Sequence, residues 1–339
     1  MNPNRHERIL LAHGGGGRLS WQLIHEVFAP AFGDSEYDAS HDGVVLDLPS
    51  SRLAYTTDSF VVRPLFFPGG DIGKLAVCGT VNDLAMCGAR PLYLSAGFIL
   101  EEGLEIDTLQ KVVESMADTA NAAGVRIVTG DTKVVERGKA DQIFINTTGV
   151  GVIEHGQKIG PRQIQPGDQI ILSGDIGRHG IAVMASREGL TFETNIESDC
   201  ASLGGTVTAL LASGVKVNCM RDLTRGGLAS ALVEIATVAT RRIQIREDQI
   251  PVNEAVAGAC ELLGLDPMFV ANEGRFIAIV AGSDSSKALA VLRNDPFGHD
   301  AATIGEVGTE TDGLVTLRTT TGAERVVEMF TGEQLPRIC

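Results

Sequence analysis

The sequence predicts an α/β (α+β) fold in two domains. Three observations lead there. Strand-like and helix-like apolar patterns are interleaved along the chain. The interleaving restarts after the Pro/Gly-punctuated stretch Gly160-Pro161-Arg162-Gln163-Ile164-Gln165-Pro166-Gly167-Asp168. The 339 residues suit about two full hydrophobic cores. The expected division is 1–160, an N-terminal domain, 161–331, a C-terminal α/β domain, and 332–339, a mobile tail. Gly 40 against 5% aromatics points to many tight turns and close backbone approaches.

Residues 19–28 place Leu19, Leu23, Ile24, Val27 and Phe28 on one helical face, closed near Pro30. Residues 44–48 and 53–57, separated by Pro49-Ser50-Ser51-Arg52, read as a β-hairpin. A helix is expected over 72–87, with Asp71 as its N-cap and Gly88 as its stop. Residues 92–100 look like a strand, 107–123 an amphipathic helix, and 125–129 and 142–153 two further strands. Beyond the boundary come strand 169–172, helices 180–188, 203–213, 228–239 and 253–263, strand 275–281, helix 284–293 and strands 303–307 and 314–318. Pro336 keeps the last residues out of helix. They close on Cys339, a thiol with freedom to travel, flanked by the apolar Leu335 and Ile338.

Composition narrows the function. Lys+Arg 28 against Asp+Glu 43 gives a formal charge of -15, a field that repels nucleic acid and anionic membranes. No run of 18 apolar residues exists and the first residues lack a signal-peptide pattern, so a soluble cytoplasmic protein is expected. Six scattered cysteines without a C-x-x-C make a disulfide framework or cysteine-rich zinc site improbable. An anionic substrate would then be held by local Arg/Lys, backbone amides or carboxylate-bound metal.

All three are offered. Gly14, Gly15, Gly16 and Gly17 stand just before the first helix, where free backbone N–H groups and the helix dipole suit phosphate; a plain N-terminal linker reads the same way. Neither the P-loop spacing nor G-x-G-x-x-G occurs. Asp58 and Asp131 each read as ending a strand, and Asp83 lies in a mostly apolar helix, where an unpaired carboxylate is costly. Such acids suit Mg²⁺ with phosphate ligands, or they are turn and cap residues. Asp42, before Gly43, is a weaker member of the set. Lys133 can neutralise phosphate, and Arg221 and Arg225 offer planar forks to phosphate oxygens beside a helix start where Asp222 or Thr224 can cap. His179 lies in a Gly-rich strand-to-helix turn and Glu273 precedes an apolar strand; each is a candidate base or a turn residue.

Together, the glycine-rich start, Thr57-Asp58-Ser59, Gly79-Thr80-Val81-Asn82-Asp83-Leu84, Gly130-Asp131-Thr132-Lys133 and Arg221-Asp222-Leu223-Thr224-Arg225-Gly226-Gly227 resemble the ATP-using superfamily of aminoimidazole ribonucleotide synthetase, selenophosphate synthetase and thiamine-monophosphate kinase. With the Pro336-Arg337-Ile338-Cys339 ending, the chain is similar to the carbamoyl dehydratases of nickel–iron hydrogenase maturation. The resemblance implies a homodimer whose N-terminal sheets close into a barrel across two subunits, an N-terminal ATP/Mg²⁺-binding and dimerisation domain, and ATP lying in the cleft between the domains. Asn82, Arg221 and Arg225 join the glycines at the nucleotide, and Asp42, Asp58, Asp83 and Asp131 at the metal. It implies that the carbamoyltransferase HypF loads Cys339, that ATP dehydrates the carbamoyl group to a thiocyanate with Glu273 or His179 as base and Lys133 at the phosphoryl group, and that a HypC–HypD complex takes the cyanide for iron. A small-molecule kinase or synthetase of the superfamily and a noncatalytic nucleotide-binding adaptor are the alternatives.

Overall fold

Apolar residues at nearly every position of the helix Ile72–Met86 leave it no solvent face, and the fold is arranged around it. The computed structural model describes residues 17–23, 44–48, 51–188 and 196–329. The first half runs α1 (Arg18–Leu23), β1 (Val44–Leu48), β2 (Ser51–Phe60), the short pair β3 (Phe66–Phe67) and β4 (Gly70–Asp71), α2 (Ile72–Met86), β5 (Arg90–Glu101), α3 (Ile106–Ala122), β6 (Arg126–Val135) and β7 (Ile143–Ile153). The second runs β8 (Gln169–Leu172), α4 (Arg178–Glu188), α5 (Gly204–Ala212), β9 (Val217–Asp222), α6 (Gly227–Ala239), β10 (Ile243–Arg246), α7 (Glu254–Leu263), β11 (Phe276–Val280), α8 (Ser285–Arg293), β12 (Ala302–Val307), β13 (Val315–Arg318) and β14 (Glu324–Val327). No helix among the described residues is long and apolar enough to cross a membrane.

Asp71 caps α2 as the sequence predicts. Its Oδ1 accepts from Gly73 N (2.7 Å) and Lys74 N (3.1 Å), while Ser115 Oγ of α3 donates to Oδ2 (2.6 Å), so the cap also ties two helices together. At the other end Gly88 adopts φ +74°, the left-handed conformation that stops a helix. Between them Ile72, Leu75, Val77 and Val81 pack with Phe60, Leu94, Met116, Val183 and Cys200. Ala85 and Met86 join Leu203, Val207 and Met220. The helix therefore belongs to the cores of both halves; each fully buried Leu or Ile contributes roughly 2 kcal/mol.

The first sheet has the order β1-β2-β7-β5-β6, antiparallel except for the parallel β5–β6 pair. The expected barrel is corrected here. Among the described residues no sheet closes, and β1 and β6 remain the two open edges of this one. The helices α2 and α3 cover one face, and Tyr55, Tyr93, Ile99 and Val128 remain exposed.

The second sheet has the order β14-β13-β10-β12-β8-β11-β9. Its strand β11 is buried along its whole length. Period-two alternation sends Ile277 and Ile279 toward α6, and Phe276, Ala278 and Val280 toward α5 and α8. Helices therefore cover both faces. Local pattern had missed β9, β10 and β14 because the strands are short, and β9 carries Asn218, Arg221 and Asp222. Pairing with β11 and β13 supplies what propensity lacks.

Candidate active site

Long pairing partners also extend β2 and β6 past their expected ends, so Asp58 and Asp131 lie within strands. Asp58 faces α2: its Oδ2 lies 3.7 Å from where a Cβ on Gly79 would stand. One turn on, Asp83 accepts a hydrogen bond from Thr56 Oγ1 (2.8 Å), which answers part of the cost of a carboxylate in an apolar helix. From the other half, Asp222 at the end of β9 comes within electrostatic reach of Asp58, with Arg221 and Arg225 beside it. Burial is the main force raising the Asp222 carboxyl, to about 6, and the Asp58 charge adds to it while the two arginines oppose it. Burial likewise raises Asp58, against Arg225 and the N–H of Ser59. Asp222 was weighed in the sequence only as a cap; the signal for more is its place where an apolar strand meets a Gly-rich helix start.

Asp131 and Lys133 stand apart. They lie on β6, two strands beyond the neighbour β2 would need, or roughly 14 Å from it at the usual strand spacing. Their side chains are each 73% exposed and pair with one another at 3.5 Å. Among the described residues no three His, Cys, Asp or Glu groups are gathered closely enough to enclose a metal. That fits Mg²⁺ carried with a nucleotide, which takes one or two carboxylates and fills its remaining positions with phosphate and water. The half-buried Asp58 and the buried Asp222, whose charges repel, are the carboxylates a cation would relieve.

Asn82 faces the interior. Its Nδ2 donates to Ala201 O (3.0 Å) and Glu273 O (3.4 Å), and its Oδ1 accepts from Leu203 N (2.8 Å), so its amide clamps the two halves together. Arg221 is drawn to Glu234 at 2.8 Å, and Arg225 is exposed. Gly17 precedes α1, accepting from Trp21 N at 3.1 Å. Gly14, Gly15, Gly16, Asp42 and Cys339 lie outside the described residues.

Glu273, only 3% exposed, sits in the irregular segment between Val270 and β11. Its neighbours are pinned. Asn272 accepts from Gly177 N (2.7 Å) and donates to Leu223 O (3.1 Å), and Arg275 bonds Asp175 Oδ1 (2.7 Å) and Asp175 O (2.8 Å). These bonds fix the backbone on both sides of Glu273 and keep its side chain away from solvent.

His179 on α4 is fully buried, edge-on to Phe67 with ring centroids 5.3 Å apart. Its Nδ1 pairs with Ser198 Oγ at 2.8 Å and its Nε2 has no hydrogen-bond partner among the described residues. Burial lowers its pKa to about 3, so the ring is neutral at pH 7 and holds a proton weakly. The unfolded chain therefore binds one more proton below about pH 6.5. Stability should fall by roughly 2 kcal/mol between pH 6.5 and 5 on this account alone. Urea unfolding at pH 7 and pH 5 checks it: His179→Asn should show a smaller acid-induced loss, and an equal loss in both proteins would remove the assignment.

Residues 40–153 match the model of the AIR synthase related protein N-terminal domain, and residues 165–318 that of the AIR synthase related protein C-terminal domain. The chain is 51% identical over 337 residues to carbamoyl dehydratase HypE of Rhodobacter capsulatus, covering 99% of each. Among solved structures it resembles HypE in a HypE–HypF complex, with TM-score 0.86 and 48% identity over 91% of this chain and 99% of that one. It also resembles HypE in complex with ATP, with TM-score 0.83 and 47% identity over 98% and 100% of the two chains.

Proposed function

The chain belongs to the AIR synthase related family and, within it, to the carbamoyl dehydratase HypE family, and on that premise we propose which of its residues carry the reaction. The protein is an ATP-dependent carbamoyl dehydratase, and the group it dehydrates is carried on its own Cys339. Oxygen is a poor leaving group from Cys339-S-CO-NH₂. Once that oxygen has taken the γ-phosphoryl group of ATP it departs as phosphate, and loss of both N–H protons over the sequence leaves Cys339-S-C≡N.

Glu273 is the proposed base, and its burial is the observation that carries this reading. His179 is the second choice, since its neutral ring holds a proton weakly. Asp58 and Asp83, with Asp222 near Asp58, are proposed to hold the Mg²⁺ that offsets triphosphate charge; Asp42 and, from the edge strand β6, the more distant Asp131 are proposed in support. Arg225 and the glycines before α1 are proposed for the nucleotide, and Lys133 for the transferred phosphoryl oxygen.

HypF is a partner, as it is for the related chain crystallised with it. We propose in addition a HypC–HypD complex as cyanide acceptor, a cytoplasmic location and a homodimer; exposed Tyr55, Tyr93, Ile99 and Val128 support the last. The proposed domains are 1–160, 161–331 and a tail of 332–339. Separate sheets and the break between family matches at 153 and 165 support that division.

The reading is tested by incubating carbamoylated protein with Mg-ATP and following intact mass. Loss of one water at Cys339 is expected; an unchanged mass would remove the proposal.

A further inference from the structure

We infer that Asp199 is a positioning residue for the base: its buried carboxylate holds the Glu273 segment by the backbone, accepting from Glu273 N at Oδ1 (3.3 Å) and from Gly274 N at Oδ2 (3.1 Å). The inference rests on the reading of Glu273 as base. Residues 271–275 have no helix or strand of their own to fix them. Their geometry has to be imposed from outside, and Asp199 meets two consecutive N–H groups with one carboxylate. Bonds to an ionised acceptor are about twice as strong as neutral ones.

The two segments are in intimate contact. Ala201 N donates to Glu273 O (3.3 Å), and a Cβ on Gly274 would lie 1.9 Å from Asp199 O, so no other residue fits there without a shift. Residues 271–275 are buried throughout, so water does not replace these bonds if they are lost. Burial pushes the Asp199 carboxyl up, while the Arg275 charge and the bonded N–H groups pull it down.

A misplacement of about 1 Å can cost about 100-fold in rate. At saturating ATP, Asp199→Asn should therefore slow dehydration about 10-fold and Asp199→Ala about 100-fold. The ATP concentration giving half-maximal rate should stay within about twofold, since the groups around Asp58 and Asp222 are untouched. In the Asp199→Ala/Glu273→Gln double variant, dehydration should be no slower than in Glu273→Gln alone, because Asp199 acts through Glu273. Rates that multiply in the double variant, or an ATP requirement that rises as the rate falls, would overturn the inference. If Asp199→Ala does not fold, Asp199→Asn carries the same comparisons. Slow Glu273→Gln with normal Asp199 variants removes only the positioning role, whereas normal turnover by Glu273→Gln removes the base reading itself.

Discussion

Cys339→Ala should bind ATP with unchanged affinity, yet release no phosphate when supplied with HypF and a carbamoyl donor. The whole reaction is lost because the substrate group has no atom to ride on; five other cysteines, Cys78, Cys87, Cys200, Cys219 and Cys260, are buried and cannot take its place. The hydrogen bond with the Cys78 thiol, burial and the charge of Glu273 raise the Cys200 pKa well above the ordinary thiol value. The measurement is phosphate release together with intact mass. A small-molecule kinase on this fold would turn over equally well without Cys339, and a noncatalytic adaptor would release no phosphate with or without it. Full phosphate release by the variant would therefore sink the dehydratase mechanism for this thiol.

Glu273→Gln should retain ATP binding and stall dehydration by about 100-fold to 10,000-fold, the usual weight of a positioned general base. The amide keeps the shape of the side chain and removes only its ability to take a proton. His179→Asn should slow the reaction far less, because the wild-type ring already holds a proton weakly at neutral pH. Single-turnover rates of carbamoylated variants decide between them. A stalled His179→Asn beside an active Glu273→Gln would transfer the role.

Much of the fold is legible in the sequence. The N-cap at Asp71, the stop at Gly88 and the two-sided apolar run of β11 are set by neighbours within a few positions. So are the residue types of the site: glycines, acids and arginines placed at strand ends and helix starts. The exact run of β2 and β6 was not legible, because strand length is set by partners such as Thr147 and Gly97 rather than by the strand itself. The open first sheet was misjudged for a related reason. Closure across two subunits would require pairing between the sheet edges of separate copies, and no local pattern states whether that pairing forms.

By itself the sequence determined the chemistry available to the protein: a terminal thiol, carboxylates and cations in ordered motifs, and helices and strands able to carry them. Tertiary structure decided which of those groups meet. It brought Asp222 to Asp58, made Asn82 a clamp on the Glu273 backbone across 191 positions, and placed Asp199 under the Glu273 segment while leaving Asp131 and Lys133 on an exposed edge. The reason is physical. Local periodicity and capping act over three or four residues, whereas the burial and electrostatic fields that tune a carboxylate come from segments joined only when the chain has folded.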